Sequence, residues 1–343
     1  MYNARRHTTQ VDVPLKPRLY RHPHGISAVD AEYLYPGHAA VHIIVDRGRT
    51  AFVDVGTNAS VPYLIAALAE LGIAREAVDY VLLTHVHLDH AGGAGALMQE
   101  LPNARAVVHP RGAPHMIDPT RLIAGSRAVY GERLEELYGT LLPIPAERVR
   151  VVEDGERLTL GGRTLELIHV PGHALHHYAV VDAAHASIFA GDTFGISYRS
   201  LDTAQGAFIT PTTPPSQFDP DQLIASIDRM LAYRPESMYL MHFSRVTGVP
   251  RLGELLKPQV RELARIARAH AQDPDPAAGI RAAMRDLWLD LVHRHGCALT
   301  DAEIDKILEG DLELNTQGLM VWLERLSRHS SALAASEGAE LGS

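Results

Sequence analysis

The sequence predicts a layered α/β protein followed by an all-helical carboxyl-terminal region. Between about residues 40 and 245, short apolar runs typical of buried strands alternate with segments of helical period, the pattern of helices packed on sheets. From about residue 251 onward the segments have a helical period, and none has the pattern of a strand. With 343 residues, 46% of them apolar and 21% charged, the chain is long enough to bury a sizeable core.

Strands are predicted wherever a short apolar or alternating run is bounded by turn residues. Tight turns at 47–49 and 160–163 each join two of these runs into a hairpin. Helices are predicted where apolar residues recur with a period of 3.6, and Asp219 and Thr300 have the pattern of helix N-caps. Strands are expected within 40–55, 78–84, 104–109, 149–154, 156–170, 177–182, 186–192 and 237–242, and helices within 58–72, 91–101 and 219–230.

We expect a catalytic domain at residues 1–250 and a helical region at residues 251–330. Within the first, residues 110–147 break the alternation with Pro, Gly and short helical stretches, which is typical of a lid-like insertion over a site. The apolar stripes of the helical region must pack either on the catalytic domain or across a homodimer, and both alternatives stay open. Residues 331–343 are polar and low in complexity, so we expect a disordered tail.

Composition and charge exclude several classes of protein. The single cysteine, Cys297, excludes a disulfide framework within the chain and a thiolate metal cluster. The net charge of −9 argues against binding to nucleic acid, and no apolar run is long enough to cross a membrane. Because the first residues lack the apolar segment of a secretory signal, we expect a cytoplasmic protein. The expected partner is a small-molecule substrate.

The stretch LLTHVHLDHAGG at residues 82–93 places three histidines and an aspartate at the end of an apolar strand. An H-x-H-x-D-H match is expected by chance in well under roughly one such chain in a hundred. Three further residues that can bind metal also follow apolar runs, and strand ends are where layered α/β proteins build sites. The candidate ligands are His85, His87, Asp89, His90, His173, Asp192 and His242.

Seven nitrogen and oxygen ligands without sulfur favour two metal ions over one. A single zinc takes four ligands in a closed site, or three and a water in an open one. Two divalent ions ~3.5–4 Å apart can share a hydroxide near neutral pH and clamp an oxygen that develops charge. Imidazole and carboxylate suit zinc and related ions. The expected cofactors are therefore two divalent ions, with zinc favoured and iron or manganese as alternatives.

The motifs THVHLDHAGG, PGHALHH, IFAGDTF and LMHFSR together resemble those of the metallo-β-lactamase superfamily, over about residues 18–245. The resemblance implies a four-layer αββα sandwich, here with a C-terminal helical extension. It implies that Asp54 is a buried support for the histidine loop and not a ligand. The implied ligands of the first metal are His85, His87 and His173, and those of the second are Asp89, His90 and His242, with Asp192 bridging.

The resemblance implies hydrolysis, and departures from the best-known branches narrow the reaction. Glyoxalase-II-type thioesterases have a histidine where this chain has Val86, and lactonase-type members have a tyrosine where it has Gly195. What remains is a binuclear hydrolase of the glyoxalase II and lactonase-like branch, acting on an ester-like carbonyl such as a thioester or a lactone. In the expected mechanism a bridging hydroxide would attack the carbonyl, Asp192 would join the metals, and Asp89 would shuttle a proton. The alternative is a di-iron oxygen-binding or redox protein of the same fold.

A further set of residues lies a few positions beyond candidate ligands, where contact with substrate is one interpretation and ordinary packing another. His176 and His177 are expected to support the site or to lie at the surface, and not to bind metal. The acyl and leaving groups do not follow from the sequence, because the pocket depends on the insertion and on the helical region. The candidates for substrate contact are Tyr178, Tyr198, Arg199 and Arg245.

Overall fold

The computed structural model describes residues 15–215 and 217–340. The strands are β1 (Leu19–Arg21), β2 (Ile26–Asp30), β3 (Ala40–Asp46), β4 (Arg49–Val53), β5 (Val78–Leu82), β6 (Arg105–Val108), β7 (Val149–Val151), β8 (Glu156–Leu160), β9 (Arg163–His169), β10 (Tyr178–Asp182), β11 (Ser187–Gly191), β12 (Ser237–Leu240) and β13 (Ser244–Thr247). The helices are α1 (Val61–Glu70), α2 (Leu88–Ala91), α3 (Ala94–Glu100), α4 (Ala113–Ile117), α5 (Thr120–Tyr130), α6 (Leu134–Tyr138), α7 (Pro220–Ala232), α8 (Val249–His270), α9 (Pro276–Arg294) and α10 (Asp301–Glu340).

The strands form two mixed sheets that pack face to face. The first sheet has the order β1-β2-β3-β4-β5-β6-β7, antiparallel up to β4 and parallel from β4 onward. The second has the order β13-β12-β11-β10-β9-β8, in which only β11 and β12 pair in parallel. Helices cover the outer face of each sheet. The expected αββα sandwich is therefore confirmed.

The two faces of a sheet are visible in the alternation of side chains along each strand. On β4, Ala51 and Val53 pack in the core between the sheets, whereas Phe52 packs in the core under the outer helices. Successive side chains of a strand point to opposite faces, so strands covered on both sides are apolar throughout. This explains why the strands are continuous apolar runs in the sequence.

Three strands that precede candidate ligands end at one edge of the second sheet. Strands β9 and β11 are both antiparallel to β10, which lies between them, and β12 is parallel to β11. All three therefore run in the same direction, and His173, Asp192 and His242 follow their carboxyl ends. The segment after β5, which contains His85 and His87, approaches from the other sheet.

The helical region packs on the second sheet of the same chain. Buried residues of α8, α9 and α10 share one core cluster with the outer faces of β10, β11 and β12 and with α7. The indole of Trp288 is almost completely buried in this cluster, and the guanidinium of Arg268 lies 4.9 Å from the ring centre of Trp322. The first of the two alternatives for these helices is confirmed, and a homodimer stays a prediction.

The expected helix caps are present, but the tail differs from expectation. Asp219 accepts hydrogen bonds from the backbone and side-chain nitrogens of Gln222, and Thr300 forms the expected capping box with Glu303. Helix α10 continues to Glu340, where we expected a disordered tail, because Ala, Leu and Glu favour a helix. Residues 341–343 of that tail lie outside the described residues.

Among the described residues, no helix combines the length and the apolar character needed to cross a membrane.

The short strands β1 and β2, which the sequence pattern does not indicate, extend the first sheet beyond β3. Strand β2 is fully buried although it is only five residues long. Its pairing with β3 places residues 31–39, the segment between these two strands, beside the candidate site.

We expect Gly318→Ala to lower the free energy of unfolding by about 1–3 kcal/mol. A Cβ at Gly318 would overlap the carbonyl oxygen of Thr213, and Thr213 cannot retreat freely because its N–H donates to Asn315 Oδ1 of the same helix at 2.6 Å. Chemical denaturation followed by circular dichroism measures the change. Gly310→Ala is the matched control on α10, since nothing lies within 4 Å of the Cβ position there. The control should be neutral or stabilising by up to about 1 kcal/mol; equal losses would contradict the packing argument.

Candidate metal centre

All seven candidate ligands lie together where the two sheets end. They divide into one group of three histidines and one group of two aspartates and two histidines, and within each group the possible ligand atoms lie within 4.8 Å of one another. The first group is His85, His87 and His173, and the second is Asp89, His90, Asp192 and His242. Residues more than 150 positions apart in the sequence therefore contribute to one site.

In the first group, three ring nitrogens face one another. His87 Nδ1 lies 2.9 Å from His85 Nε2 and 3.1 Å from His173 Nε2. Burial lowers the pKa of both His85 and His173 well below the usual value, so these rings are neutral at pH 7. A ring nitrogen has either one hydrogen or one lone pair, so His87 Nδ1 cannot pair with both neighbours. A cation between the three nitrogens would bind all three lone pairs.

The second group contains buried polar atoms without hydrogen-bond partners. His90 Nε2 and Asp192 Oδ1 lie 3.2 Å apart, and neither has a partner of suitable geometry among the described residues. His242 Nε2 lies 3.3 Å from Asp89 Oδ2. Unpaired buried polar atoms are costly, and a divalent cation would bind both. Since nitrogen and oxygen donors suit zinc, iron and manganese, the residues fit a metal site.

Asp192 faces both groups. Its Oδ2 lies 3.6 Å from Nε2 of His173 in the first group, and its Oδ1 lies 3.2 Å from Nε2 of His90 in the second. The carboxylate is held in a tight turn after β11, where Gly191 has a φ of +49°. A Cβ at Gly191 would lie 2.6 Å from Nε2 of His177, so this backbone must approach closely to bring Asp192 into place.

The second group carries an excess of negative charge. Burial opposes protonation of His90, but the carboxylates of Asp192, Asp54 and Asp89 outweigh it and raise the pKa of this imidazole well above its usual value. His242 behaves in the same way: burial lowers its pKa, but Asp89 and Asp192 raise it overall. A site that draws protons onto two buried imidazoles also attracts a divalent cation, which neutralises the same carboxylates.

Asp54 supports the histidine loop, as the sequence motif implied. One oxygen of its buried carboxylate accepts hydrogen bonds from Thr84 N at 2.8 Å and from Thr84 Oγ1 at 2.9 Å. The other oxygen lies 3.0 Å from Nδ1 of His90. An imidazole that donates one N–H to a carboxylate has its other nitrogen fixed in direction, as in many metal sites. The expected supporting role of Asp54 is confirmed.

Two supporting contacts come from residues that the sequence analysis did not assign. The main-chain carbonyl of His38 accepts a hydrogen bond from His242 Nδ1 at 2.9 Å, and Thr212 Oγ1 lies 2.6 Å from His173 Nδ1. Both contacts turn the opposite ring nitrogen, Nε2, toward the site. No sequence signal marks them, because a carbonyl can come from any residue and Thr212 lies in a loop.

His177 lies behind the ligands, whereas His176 lines the cavity beside them, and the expectation that neither binds metal stays a prediction. The ring of His177 stacks on that of His85 with 4.6 Å between centres, and its Nε2 accepts a hydrogen bond from Asp192 N at 3.2 Å. His176 Nδ1 lies 3.4 Å from the backbone nitrogen of Val86. Both rings therefore fix the backbone that carries the ligands.

A cavity of ≈ 500 Å³ opens from the two groups toward the surface. Candidate ligands form its floor, α5 and α6 of the 110–147 insertion form one wall, and α10 forms another. The insertion thus lies where a lid would act, although its role as a lid stays a prediction. The apolar part of the lining includes Leu34, Leu122, Val129, Ile196, Ile307 and Leu314.

The two tyrosines proposed as substrate contacts do not line this cavity. Tyr178 is fully buried between the sheets, where its hydroxyl donates to the carbonyl of Val107 at 2.9 Å. Tyr198 is 3% exposed and donates to Asp311 Oδ2 at 3.0 Å. Nearness in sequence to a ligand was misleading, because alternation along β10 turns the Tyr178 side chain into the core. Asp311, which was not predicted, does line the cavity.

The two arginines proposed as substrate contacts also lie outside the cavity lining. Arg199 donates to the backbone carbonyl of Ser197 at 2.7 Å, and its Nη1 lies 3.1 Å from Asp202 Oδ2. Arg245 on β13 donates to Ser237 Oγ at 3.0 Å, on the edge of the second sheet. Their roles are to tie a loop and an edge strand to their neighbours.

The fold and the site together define a class: αββα sandwiches with a centre of histidines and aspartates, suited to metal ions, at the end of the two sheets. The family model of the metallo-beta-lactamase superfamily matches residues 34–242 of this chain. This chain belongs to that superfamily, as its motifs implied.

Relatives within the superfamily match different shares of the chain. A metallo-beta-lactamase fold-containing protein of Sulfurisphaera tokodaii is 28% identical over 243 residues, 70% of this chain and 81% of that protein. The hydroxyacylglutathione hydrolase of Stenotrophomonas maltophilia is 33% identical over 151 residues, 44% of each chain. That of Aeromonas hydrophila is 34% identical over 116 residues, 34% of this chain and 33% of the hydrolase. This chain thus spans less than half of either hydrolase.

Solved structures agree on the fold. A metallo-beta-lactamase family protein from Thermus thermophilus superposes with a TM-score of 0.64 at 21% sequence identity, covering 88% of this chain and 94% of that one. The metallo-beta-lactamase superfamily protein from Sulfolobus tokodaii gives a TM-score of 0.61 at 23% identity, over 86% and 98% of the two chains. At such identities the likeness shows the fold alone.

Proposed function

We propose that this protein is a hydrolase that depends on two divalent metal ions, with zinc favoured, and that it cleaves an ester-like carbonyl compound such as a thioester or a lactone. The observation that carries the proposal is the convergence of seven donors in two groups, with Asp192 facing both. Membership of the superfamily supports hydrolysis. The partial matches to hydroxyacylglutathione hydrolases, whose substrates are thioesters by name, support an ester-like carbonyl.

In this proposal each group would hold one ion, and Asp192, which faces both groups, would be shared between them. When bound, the two ions would supply a water that loses its proton near neutral pH and an electrophile for the carbonyl oxygen. The first ion would be held by His85, His87 and His173, and the second by Asp89, His90 and His242.

Asp89 is the proposed proton carrier. It lies on the cavity floor, and its side chain is 22% exposed, the most accessible of the second group. Burial opposes ionisation of this carboxyl, but His90 and His242 hold its pKa below the usual range. Asp89 is therefore ionised at neutral pH and can accept a proton and pass it to the leaving group.

Tyr33 and Tyr138 are the proposed hydrogen-bond donors to the substrate. Both line the cavity, and the Tyr33 hydroxyl donates to the Tyr138 hydroxyl at 2.9 Å. Burial raises the pKa of both phenols well above the usual value, so both stay protonated. The Tyr130 hydroxyl also interacts with that of Tyr138. Three hydroxyls joined in a chain use two of their three protons, so the third can be donated to a substrate oxygen. Lactonase-type members have a tyrosine at the position of Gly195, and glycine has no hydroxyl to donate. Tyr33 and Tyr138 would supply this hydrogen-bond donor instead.

The test is a hydrolysis panel of thioesters, acyl-homoserine lactones, aryl esters and phosphotriesters, with the metal content of the purified protein measured. We expect about two ions per chain, hydrolysis of a thioester or a lactone, loss of activity with a chelator and recovery with zinc. A colourless protein with two zinc ions would exclude the di-iron alternative. Full activity without metal, or two iron ions with a visible absorption band and no hydrolysis, would overturn the proposal.

A further inference from the structure

Helix α10 places a carboxylate in the wall of the cavity. Asp311 lines the cavity beside the apolar side chains of Ile307 and Leu314 from the same helix. Its Oδ2 accepts a hydrogen bond from the Tyr198 hydroxyl at 3.0 Å. None of the ion pairs among the described residues includes Asp311, although other carboxylates of α10 form ion pairs.

The ionised form of the Asp311 carboxyl is energetically unfavourable at this position. Burial raises the pKa of Asp311 to about 7, and the hydrogen bond from Tyr198 and the nearby His242 only partly oppose the rise. An ionised carboxylate has about four acceptor positions, of which Tyr198 uses one. Asp311 therefore has unused capacity to accept hydrogen bonds, and it faces the space that a substrate would enter.

Tyr198 lies between Asp311 and the candidate ligand His242: its hydroxyl donates to Asp311, and its ring meets the His242 ring edge-on with 6.5 Å between centres. Asp311 is thus set back from the candidate ligands by one side chain. A substrate whose carbonyl lies at the cavity floor would reach Asp311 with a part of the molecule that does not react.

We propose that Asp311 binds a proton-bearing nitrogen of the substrate, an ammonium or an amide N–H, and thereby selects acyl compounds that carry such a nitrogen away from the scissile carbonyl. The hydrolysis of these acyl compounds rests on the proposed function, whereas the preference of Asp311 for a nitrogen that bears a proton does not. Apolar lining such as Leu34 and Val129 accommodates the rest of the molecule. Asp311 is thus a specificity-determining residue contributed by the helical region.

The test uses calorimetric titration of the full-length, metal-loaded protein with three ligands of similar size: hexylammonium, N-butylacetamide and dibutyl ether. The first two donate an N–H, whereas the ether only accepts. We expect at least one N–H ligand to bind about tenfold or more tightly than the ether, as a hydrogen bond to a charged group gives. Whichever of these two ligands binds more tightly shows whether the substrate nitrogen is an ammonium or an amide. Equal affinities for all three ligands would overturn the proposal without any variant.

Substitutions separate binding from a structural tie between α10 and the catalytic domain. Asp311→Asn removes the charge but keeps a side-chain oxygen, so binding of the ammonium should weaken about tenfold and that of the ether should not change. Glu313→Gln is the matched control on the same helix, because Glu313 is exposed, bonds to Gln317 and does not line the cavity. Equal weakening of all three ligands in Asp311→Asn, with a lower melting temperature, would assign Asp311 a structural role and overturn the proposal.

Failure of this proposal can be told apart from failure of the proposed function. Hydrolysis in the panel without a preference for N–H ligands would refute only the role of Asp311. Selective binding of an N–H ligand that Asp311→Asn abolishes, together with no hydrolysis by the metal-loaded protein, would refute only the hydrolase.

Discussion

Replacement of Asp192 by alanine is expected to remove at least one of the two metal ions and to abolish hydrolysis. Its two oxygens face different groups of candidate ligands, so its loss affects both groups. We expect the metal content to fall from about two ions per chain to one or none. The loss of kcat/KM should exceed the roughly 10–100-fold that follows when an outer partner of a ligand is removed. Elemental analysis and the hydrolysis panel measure the two effects on the same preparation.

Asp228→Ala is the matched control for this prediction. Asp228 lies on α7, its side chain is 55% exposed, and it pairs with Lys257 at the surface. This variant should keep both ions and full activity, since exposed pairs contribute little to stability. An Asp192→Ala protein that retained two ions and normal activity would show that Asp192 is not a ligand.

The second large effect is expected for Asp54→Ala. The substitution leaves the backbone N–H and hydroxyl of Thr84 and the Nδ1 of His90 without their buried acceptor. Because each such group costs about 1–3 kcal/mol, the free energy of unfolding should fall by about 3 kcal/mol or more. Metal affinity should fall by roughly 10–100-fold, because His90 is no longer held in direction.

Two measurements keep these effects of Asp54→Ala separate. Chemical denaturation in the presence of a chelator gives the stability without any contribution from metal, and competition with a coloured chelator gives the metal affinity. Asp79→Ala is the control, since Asp79 forms a partly exposed pair with Arg49 on the same sheet and should change stability by less than about 1 kcal/mol. A normal metal affinity in Asp54→Ala would mean that His90 is positioned by other contacts.

The candidate ligands could be located from the sequence because each follows an apolar strand. Periodicity identifies such strands, and parallel strands end at the same edge of a sheet, so their convergence could be expected. The dense pattern from His85 to His90 added a signal that chance seldom produces. The location of the site could therefore be predicted from local sequence patterns, because the geometry of a sheet brings the ends of its strands together.

The sequence indicated which segments shape the cavity, the 110–147 insertion and the helical region, but not which of their side chains line it. Helices α5 and α10 are amphipathic segments whose packing partners are distant in the chain, and helical period does not indicate which surface a helix meets. The position of Asp311 therefore has no local signal. Tyr178 shows the converse error, because its place beside the PGHALHH motif suggested the site while its position on β10 turned it into the core.

The cavity is bounded on two sides by segments that contribute none of the seven candidate ligands, the 110–147 insertion and α10. Heritable changes in either segment can therefore alter which compound fits, while the residues that perform the chemistry pass unchanged from ancestor to descendant. A lineage built on this plan can exchange one substrate for another while it keeps the same candidate metal ligands.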